Sequence, residues 1–288
     1  MSRTCRITVV VENTSPDDSL LTQHGLAFWI EVGDRRVLFD TGQASALVGN
    51  AYRLGVSLRQ LDALVLSHGH YDHTGGVAEV LQPNAPVPVY GHPAALQPKF
   101  ARNRDGSSRE IGIPYPALRM IRNQRKYLVK TEKPADIVDG LRVTGAIPRV
   151  TDFEDTGGPF FIDQKCRVPD PLTDDQAIFF DALPGTVVVL GCAHAGVINT
   201  LRYIRQLTDD RPIHAVLGGM HLLDASDRRI ERTIDELREL DVRQIAPAHC
   251  TGETATAALR RAFPDEFLPC HAGTRFEFEV PDRKPNGE

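Results

Sequence analysis

The chain contains no apolar run approaching the roughly 18 residues that would cross a bilayer. Behind Met1-Ser2-Arg3-Thr4-Cys5 there is no apolar stretch of the kind a secretion signal needs. Positive charge is not in surplus either. The 33 Lys and Arg against 38 Asp and Glu leave a net charge of −5, and the basic residues are scattered. That balance argues against a nucleic-acid footprint and against a polybasic membrane patch. Cysteine is scarce: five residues, an odd number without framework spacing, point to reduced thiols and a cytoplasmic setting. No paired Cys motif is present, which disfavours a closed structural zinc site.

What is present is ordinary in bulk and informative in detail. At 288 residues, with 41% hydrophobic and 25% charged residues, the chain can bury a full core. Strand-like runs occur at Cys5–Val11, Leu26–Val32 and Arg36–Asp40, the last two joined by a Gly33-Asp34 turn as in a hairpin. Helical spacing over Ala44–Leu54 stops at Gly55, a suitable C-cap. Leu61–Leu66 and Val87–Tyr90 read as short strands, with a helix starting near Gly75-Gly76. From about 98 to 133 the texture turns basic and loses periodicity, which predicts an insertion or lid within one domain spanning 1–288. The second half returns to alternation. Strands at Thr186–Gly191, Ala215–Leu217 and Gln244–Ala246 are interleaved with a helix carrying Val197, Leu201 and Ile204 on one stripe, and with a helix capped by Asp227. A helix over Gly252–Phe263 and a strand over Arg275–Val280 close an α/β chain.

Histidine carries the chemistry. Six of the ten histidines fall in four short segments, and four times a short apolar strand runs into a turn bearing one: His68, His194, His221 and His249. In α/β folds such turns gather at one edge of a sheet, where ligands bind. Within Ser67-His68-Gly69-His70-Tyr71-Asp72-His73, three imidazoles and a carboxylate lie inside six residues. An extended segment projects His68 and His70 to the same side, while Asp72 and His73 fall where the chain turns toward a helix. Imidazole with carboxylate suits a divalent metal, zinc first, with manganese, iron or nickel also accommodated by such donors. One or two ions there would activate a water for hydrolysis of a small anionic molecule.

The motif Ser67-His68-Gly69-His70-Tyr71-Asp72-His73-Thr74-Gly75-Gly76, with Leu38-Phe39-Asp40-Thr41-Gly42 before it, resembles the metallo-β-lactamase superfamily. Gly191-Cys192-Ala193-His194-Ala195-Gly196, Gly218-Gly219-Met220-His221-Leu222 and Pro247-Ala248-His249-Cys250-Thr251-Gly252 resemble its dihydropteroate-synthase-like branch, which holds pterin-linked synthases and bacterial metal-dependent hydrolases. The resemblance implies a four-layer αβ/βα sandwich. It implies that His68, His70 and His194 hold one metal and that Asp72, His73 and His249 hold a second. The superfamily usually bridges the two with an aspartate, sometimes a cysteine, from the strand before the last histidine; here that strand ends in Gly218-Gly219-Met220-His221. His221 is then a terminal ligand or, with Asp72, a catalytic acid/base group, and a mononuclear centre is admitted.

Three functions follow as expectations. A hydrolase of a small phosphoester is first, and a transferase joining a dihydropterin-methyl diphosphate to an arylamine is second. A non-catalytic metal-dependent sensor is third. Asp40 is expected to orient a ligand histidine by hydrogen bond, and Arg149 to grip a substrate phosphate. Cys192 and Cys250 are read as buried packing rather than ligands. Tyr71 is read as packing or a pocket wall, as are Phe160, Phe161 and Tyr115. His92 and His271 are read as turn residues, and His24 and His214 as surface.

Overall fold

The computed structural model describes residues 3–83, 86–138 and 140–282. Two sheets dominate. The first runs in the order β16 (Arg275–Val280), β1 (Arg3–Val11), β2 (Ala27–Val32), β3 (Arg35–Phe39), β4 (Ala63–Val65), β5 (Val89–Gly91), β8 (Leu128–Lys130). The second runs β15 (Gln244–Ala248), β14 (Ile213–Gly219), β13 (Gly185–Leu190), β12 (Ile178–Ala182), β10 (Leu141–Val143), β9 (Ala135–Val138). Strands β13, β14 and β15 are mutually parallel, so their C-terminal turns all emerge at one edge.

Strand alternation decides the layering. In β1, Cys5, Ile7 and Val9 face the second sheet, meeting Val187, Val189, Ala215 and Leu217 in one continuous core. Val10, with Trp29 and Leu38 from β2 and β3, faces outward against α1 (Leu47–Leu54), α3 (Val77–Leu81) and α4 (Tyr115–Asn123). The second sheet turns Val188, Leu190, Val216 and Ile245 onto α5 (Val197–Leu207), α6 (Asp227–Glu239) and α7 (Glu253–Ala262). Helices, sheet, sheet and helices make the four-layer sandwich. Because central strands are apolar on both faces, they read in sequence as unbroken hydrophobic runs. Near 25 cal/mol per Å² of apolar surface removed from water, that inner core is the main driving force for the fold.

Several boundaries follow the sequence closely. Gly55 ends α1 in the left-handed region at φ 73°, and Val197, Leu201 and Ile204 form the buried face of α5. The cap of α6 is one residue earlier than expected: Ser226 accepts from the Arg229 amide, and Asp227 is the first helical residue. Ser supplies the same oxygen acceptor with a shorter reach. Residues 98–133 are more structured than their texture suggests. They give β6 (Phe100–Arg102) and β7 (Ser108–Glu110), which with β11 (Phe160–Phe161) form a third, small sheet. They also give α4, packed on α3, and the edge strand β8 of the first sheet. Among the described residues no helix is long and apolar enough to cross a membrane.

Candidate metal centre

The histidine loop leaves the end of β4 and is pinned from three sides. The Ser67 amide donates to Asp40 Oδ1 (2.7 Å), the Gly69 amide to Asp174 Oδ2 (2.8 Å), and the Tyr71 amide to the Ile111 carbonyl (3.0 Å). Gly69 has no alternative: a Cβ there would stand 2.2 Å from the Ala95 carbonyl oxygen. After His70 the chain enters the short helix α2 (Tyr71–Thr74), which sets Asp72 and His73 side by side in one turn. His194, His221 and His249 arrive on the turns after β13, β14 and β15.

Each imidazole is aimed by a partner on its far side. The Ser67 hydroxyl donates to Asp40 Oδ2 (2.6 Å), so its oxygen accepts from His68 Nδ1 (2.8 Å) and leaves His68 Nε2 with a lone pair facing inward. His73 Nδ1 donates to Asp40 Oδ2 (2.7 Å), His194 Nδ1 to the Thr156 carbonyl (2.9 Å) and His249 Nδ1 to Asn13 Oδ1 (2.9 Å). The outer hydrogen bond fixes the tautomer, and the inner nitrogen is free to ligate. His70 is reversed, its Nδ1 lying 2.9 Å from His68 Nε2.

The donors converge as two groups. The rings of His68, His70 and His194 lie 4.5–4.9 Å apart, centroid to centroid. His249 Nε2 is 3.2 Å from Asp72 Oδ2 and 3.2 Å from His73 Nε2, and His73 Nε2 is 3.7 Å from the same carboxylate oxygen. Nε2 of His70 and of His194 are both buried without a hydrogen-bond partner. Buried polar atoms rarely go unpaired, and here they belong to two side chains of one group, around a space lined by nitrogen and oxygen donors. The donor set therefore fits a divalent cation: imidazole nitrogens and a carboxylate oxygen converging on one space.

The electrostatics agree. Burial holds His68, His70 and His194 well below the ordinary histidine range, so all three are neutral and ligand-ready. Burial works against a proton on His73 too, but the Asp40 and Asp72 carboxylates overcome it and push this group up to about 9. Asp72 stays well below the carboxylate range despite its burial, through His73 and through hydrogen bonds from His24 and His249.

The sequence missed three participants. His24, read as a surface residue, is indeed exposed, yet its Nε2 lies 3.3 Å from Asp72 Oδ2 and its ring 4.7 Å from that of His249. It sits on the loop before β2, and nothing in the local pattern marks it. Cys192 and Cys250, read as packing, belong to the site itself: Cys192 Sγ is 3.1 Å from His73 Nε2, and the Cys250 thiol donates to the Cys192 carbonyl (3.6 Å). Their positions two residues before His194 and one after His249 were the available signal. Burial pushes the Cys192 thiol well above its usual range.

Four residues around the centre adopt positive φ without being glycine: Asp40 (61°), Ala193 (52°), His221 (48°) and His249 (53°). Each conformation costs of order 1 kcal/mol, and such strain concentrates where side chains must be aimed against the backbone's preference. His221 stands beside His194, ring centroids 4.1 Å apart, with Nε2 3.3 Å from the Gly157 carbonyl. It joins the donors only through Cys192 and Cys250. Burial opposes its proton, yet the Cys250 sulfur and the Gly157 carbonyl raise its pKa.

A cavity of about 220 Å³ opens over these groups. The small sheet forms one wall, bringing Arg102, Arg109 and Phe160 to it, and Tyr71 lines the opposite side. Arg149 does not line it: its guanidinium donates to the His194 carbonyl (2.8 Å), bracing that turn from outside. Tyr115 is exposed on α4, His92 caps a turn by accepting from the Ala94 amide, and His271 bonds Thr14.

The sequence profile of the metallo-beta-lactamase superfamily matches residues 22–249. Among curated relatives, a 7,8-dihydropterin-6-methyl-4-(beta-D-ribofuranosyl)-aminobenzene-5'-phosphate synthase of Methanocaldococcus jannaschii is 29% identical over 271 residues, covering 89% of this chain and 90% of the relative. An uncharacterised protein of the same archaeon is 32% identical over 274 residues, covering 93% and 98%. A crystal structure described as a metal-dependent hydrolase of the beta-lactamase superfamily superposes with a TM-score of 0.79 at 29% identity, covering 96% of this chain and all of that one.

Proposed function

Since the chain belongs to the metallo-beta-lactamase superfamily, we propose that it is a metal-dependent hydrolase of a small anionic phosphoester. The observation that carries this is the convergence of His68, His70 and His194 beside Asp72, His73 and His249, four of which line a cavity whose wall bears two arginines. These six side chains would hold one or two divalent ions, zinc being the best match to the donors. When bound, such an ion supplies Lewis acidity and lowers the pKa of a water molecule toward neutrality.

The chain's own groups do the rest. Asp72, charged and fixed by His24 and His249, accepts a hydrogen from the attacking water and holds it on line. His221 delivers a proton to the departing oxygen, in keeping with its raised pKa and its place on the cavity wall. Arg102 is held with its guanidinium 4.6 Å from the centroid of the Phe161 ring, and Arg109 lies on the neighbouring strand. Arg102 also donates to the Cys166 carbonyl, so it offers a phosphate its remaining guanidinium hydrogens beside those of Arg109.

A second reading has one specific support, the likeness to the pterin-linked synthase over nine-tenths of the chain. The same cavity would then seat a dihydropterin-methyl diphosphate against Phe160, whose ring lies 5.1 Å and 5.3 Å from those of His70 and His194. An arylamine would replace water as nucleophile. The two are separated by incubating zinc-reloaded protein with a chromogenic phosphodiester, and separately with a dihydropterin-methyl diphosphate plus an arylamine. Release of alcohol from the ester, abolished by chelation and restored by zinc, is the expected result. Formation of the condensed pterin product with no ester cleavage would replace hydrolysis by transfer, and inertness toward both would sink the catalytic reading.

A further inference from the structure

The two donor groups share one residue. Ligand atoms of His68, Cys192 and His194 lie within 4.8 Å of one another, and so do those of His73, Cys192 and His249. The Cys192 sulfur is buried between them, 3.1 Å from His73 Nε2. Cys192 is the penultimate residue before His194, on the turn that β13 throws across the sheet edge, so the backbone that aims the histidine also aims the thiol.

The neighbouring turn explains why a sulfur should be there. At the end of β14, Met220 is fully buried and faces the helices on the outer side of the second sheet. Gly219 faces the centre, but a Cβ on it would stand 2.4 Å from the Gly191 carbonyl oxygen, 2.7 Å from Cys250 Sγ and 3.3 Å from Cys192 Cα. No side chain fits on this turn at Gly219, because the Gly191 carbonyl and the Cys250 sulfur occupy the space that a Cβ would take. Of the two sulfurs, Cys250 groups only with Cys192 and His221, and its thiol is engaged by the Cys192 carbonyl. Cys192 alone reaches both donor groups.

We propose that Cys192 is a sulfur ligand shared by two cation positions, one at His68–His70–His194 and one at Asp72–His73–His249. A thiolate has the lone pairs to bind two cations, at metal–sulfur distances near 2.3 Å. It adds a sulfur to two imidazole nitrogens at each position, those of His68 and His194 at one and those of His73 and His249 at the other, with His70 and Asp72 adjoining. The thiol proton is displaced to solvent as the cation binds. A soft donor at the centre biases the site toward zinc and cobalt over magnesium or manganese. The inference rests on reading the site as a metal centre, and the test separates the two.

Metal-depleted full-length protein is titrated with cobalt(II), reading the near-ultraviolet thiolate-to-cobalt charge-transfer band while native mass spectrometry counts ions per chain. The expected band grows through two equivalents. It disappears in Cys192→Ser, which also binds cobalt at least about tenfold more weakly, and it persists in Cys250→Ser. Two bound cobalt ions without the band would remove Cys192 and leave the histidine centre standing. A band complete at one equivalent would make the sulfur a terminal ligand and overturn sharing, and a band surviving in Cys192→Ser would move the ligand to another thiol. Absence of any bound cobalt would overturn the metal-centre reading and this proposal together. Should Cys192→Ser fail to fold by circular dichroism, the wild-type titration decides alone.

Discussion

Replacing Lys99 by methionine is expected to be among the most damaging single changes outside the metal centre. Lys99 is almost wholly enclosed, and its Nζ donates to Asp170 Oδ2 at 2.7 Å and Asp174 Oδ1 at 2.9 Å, both carboxylates being buried. Burial disfavours charge on the amine, but Asp174 and Asp170 more than compensate and raise its pKa. Methionine keeps the volume and removes the cation, leaving two buried carboxylates facing each other. Removing one partner of a buried pair costs about 3–5 kcal/mol. In a chain of this size each kcal/mol moves Tm by roughly 2–4 °C, so a fall of about 6–20 °C is expected by calorimetry. The sign of the pH dependence follows: the orphaned carboxylates regain neutrality by taking up protons, so the deficit is smaller at pH 5 than at pH 8. Asp174 also accepts from the Gly69 amide inside the histidine loop, so zinc affinity should drop as well. A Lys99→Met protein within 1 °C of wild type at both pH values, with unchanged zinc affinity, would refute the reasoning.

Three more outcomes follow. Asp40→Asn removes the carboxylate that bonds both His73 Nδ1 and the Ser67 hydroxyl, and zinc affinity by competition with a chelator should fall about 10–100-fold. Asp175 is fully enclosed, and burial raises its carboxyl to about 7 from an ordinary 3.8. A proton bound only in the folded state stabilises fully below pH 4 and is lost as pH rises toward 7. In metal-free protein Asp175→Asn should therefore match wild type near pH 4 and exceed it by a few kcal/mol above pH 7, whereas parallel denaturation curves would contradict this. At Gly157, φ is 80° and an added Cβ would meet His221 Cδ2 at 1.8 Å. Gly157→Ala should displace His221, lowering kcat on the best ester found far more than it alters zinc content; equal kcat would release His221 from its acid role.

Much of the site was legible because its residues are neighbours in sequence and metal chemistry demands specific atoms. The cluster from His68 to His73 announces itself, and the strand-then-histidine rhythm located His194 and His249 without knowledge of the fold. What stayed hidden depended on contacts between remote segments. His24 touches Asp72 across a loop with no periodicity, and Lys99 resembled any basic residue of an irregular stretch until two aspartates 71 and 75 positions away closed on it. Arg149 misled for the same reason: a guanidinium suits a phosphate, but whether it meets one or a backbone carbonyl is a tertiary fact. The cysteines show the limit of reading residue types by frequency. A buried thiol is usually packing, and only the crossing of two turns brings these two sulfurs beside the imidazoles.

The wall of the cavity and its floor come from different parts of the chain. The floor is built by turns at the ends of β4, β13, β14 and β15, whereas the wall is the small sheet of β6, β7 and β11. Donor side chains and cavity wall are therefore carried by separate pieces of the chain. The wall can be recast to admit a new substrate, as in any scaffold whose selectivity lies outside its reactive centre, without redrawing the ligand turns. Two rivets limit that freedom: Lys99, next to β6, ties the wall through Asp174 to the backbone of Gly69, and Ile111, next to β7, accepts from the Tyr71 amide. Descendants with a different wall would be expected to keep this lysine, or to replace both ends of the connection at once.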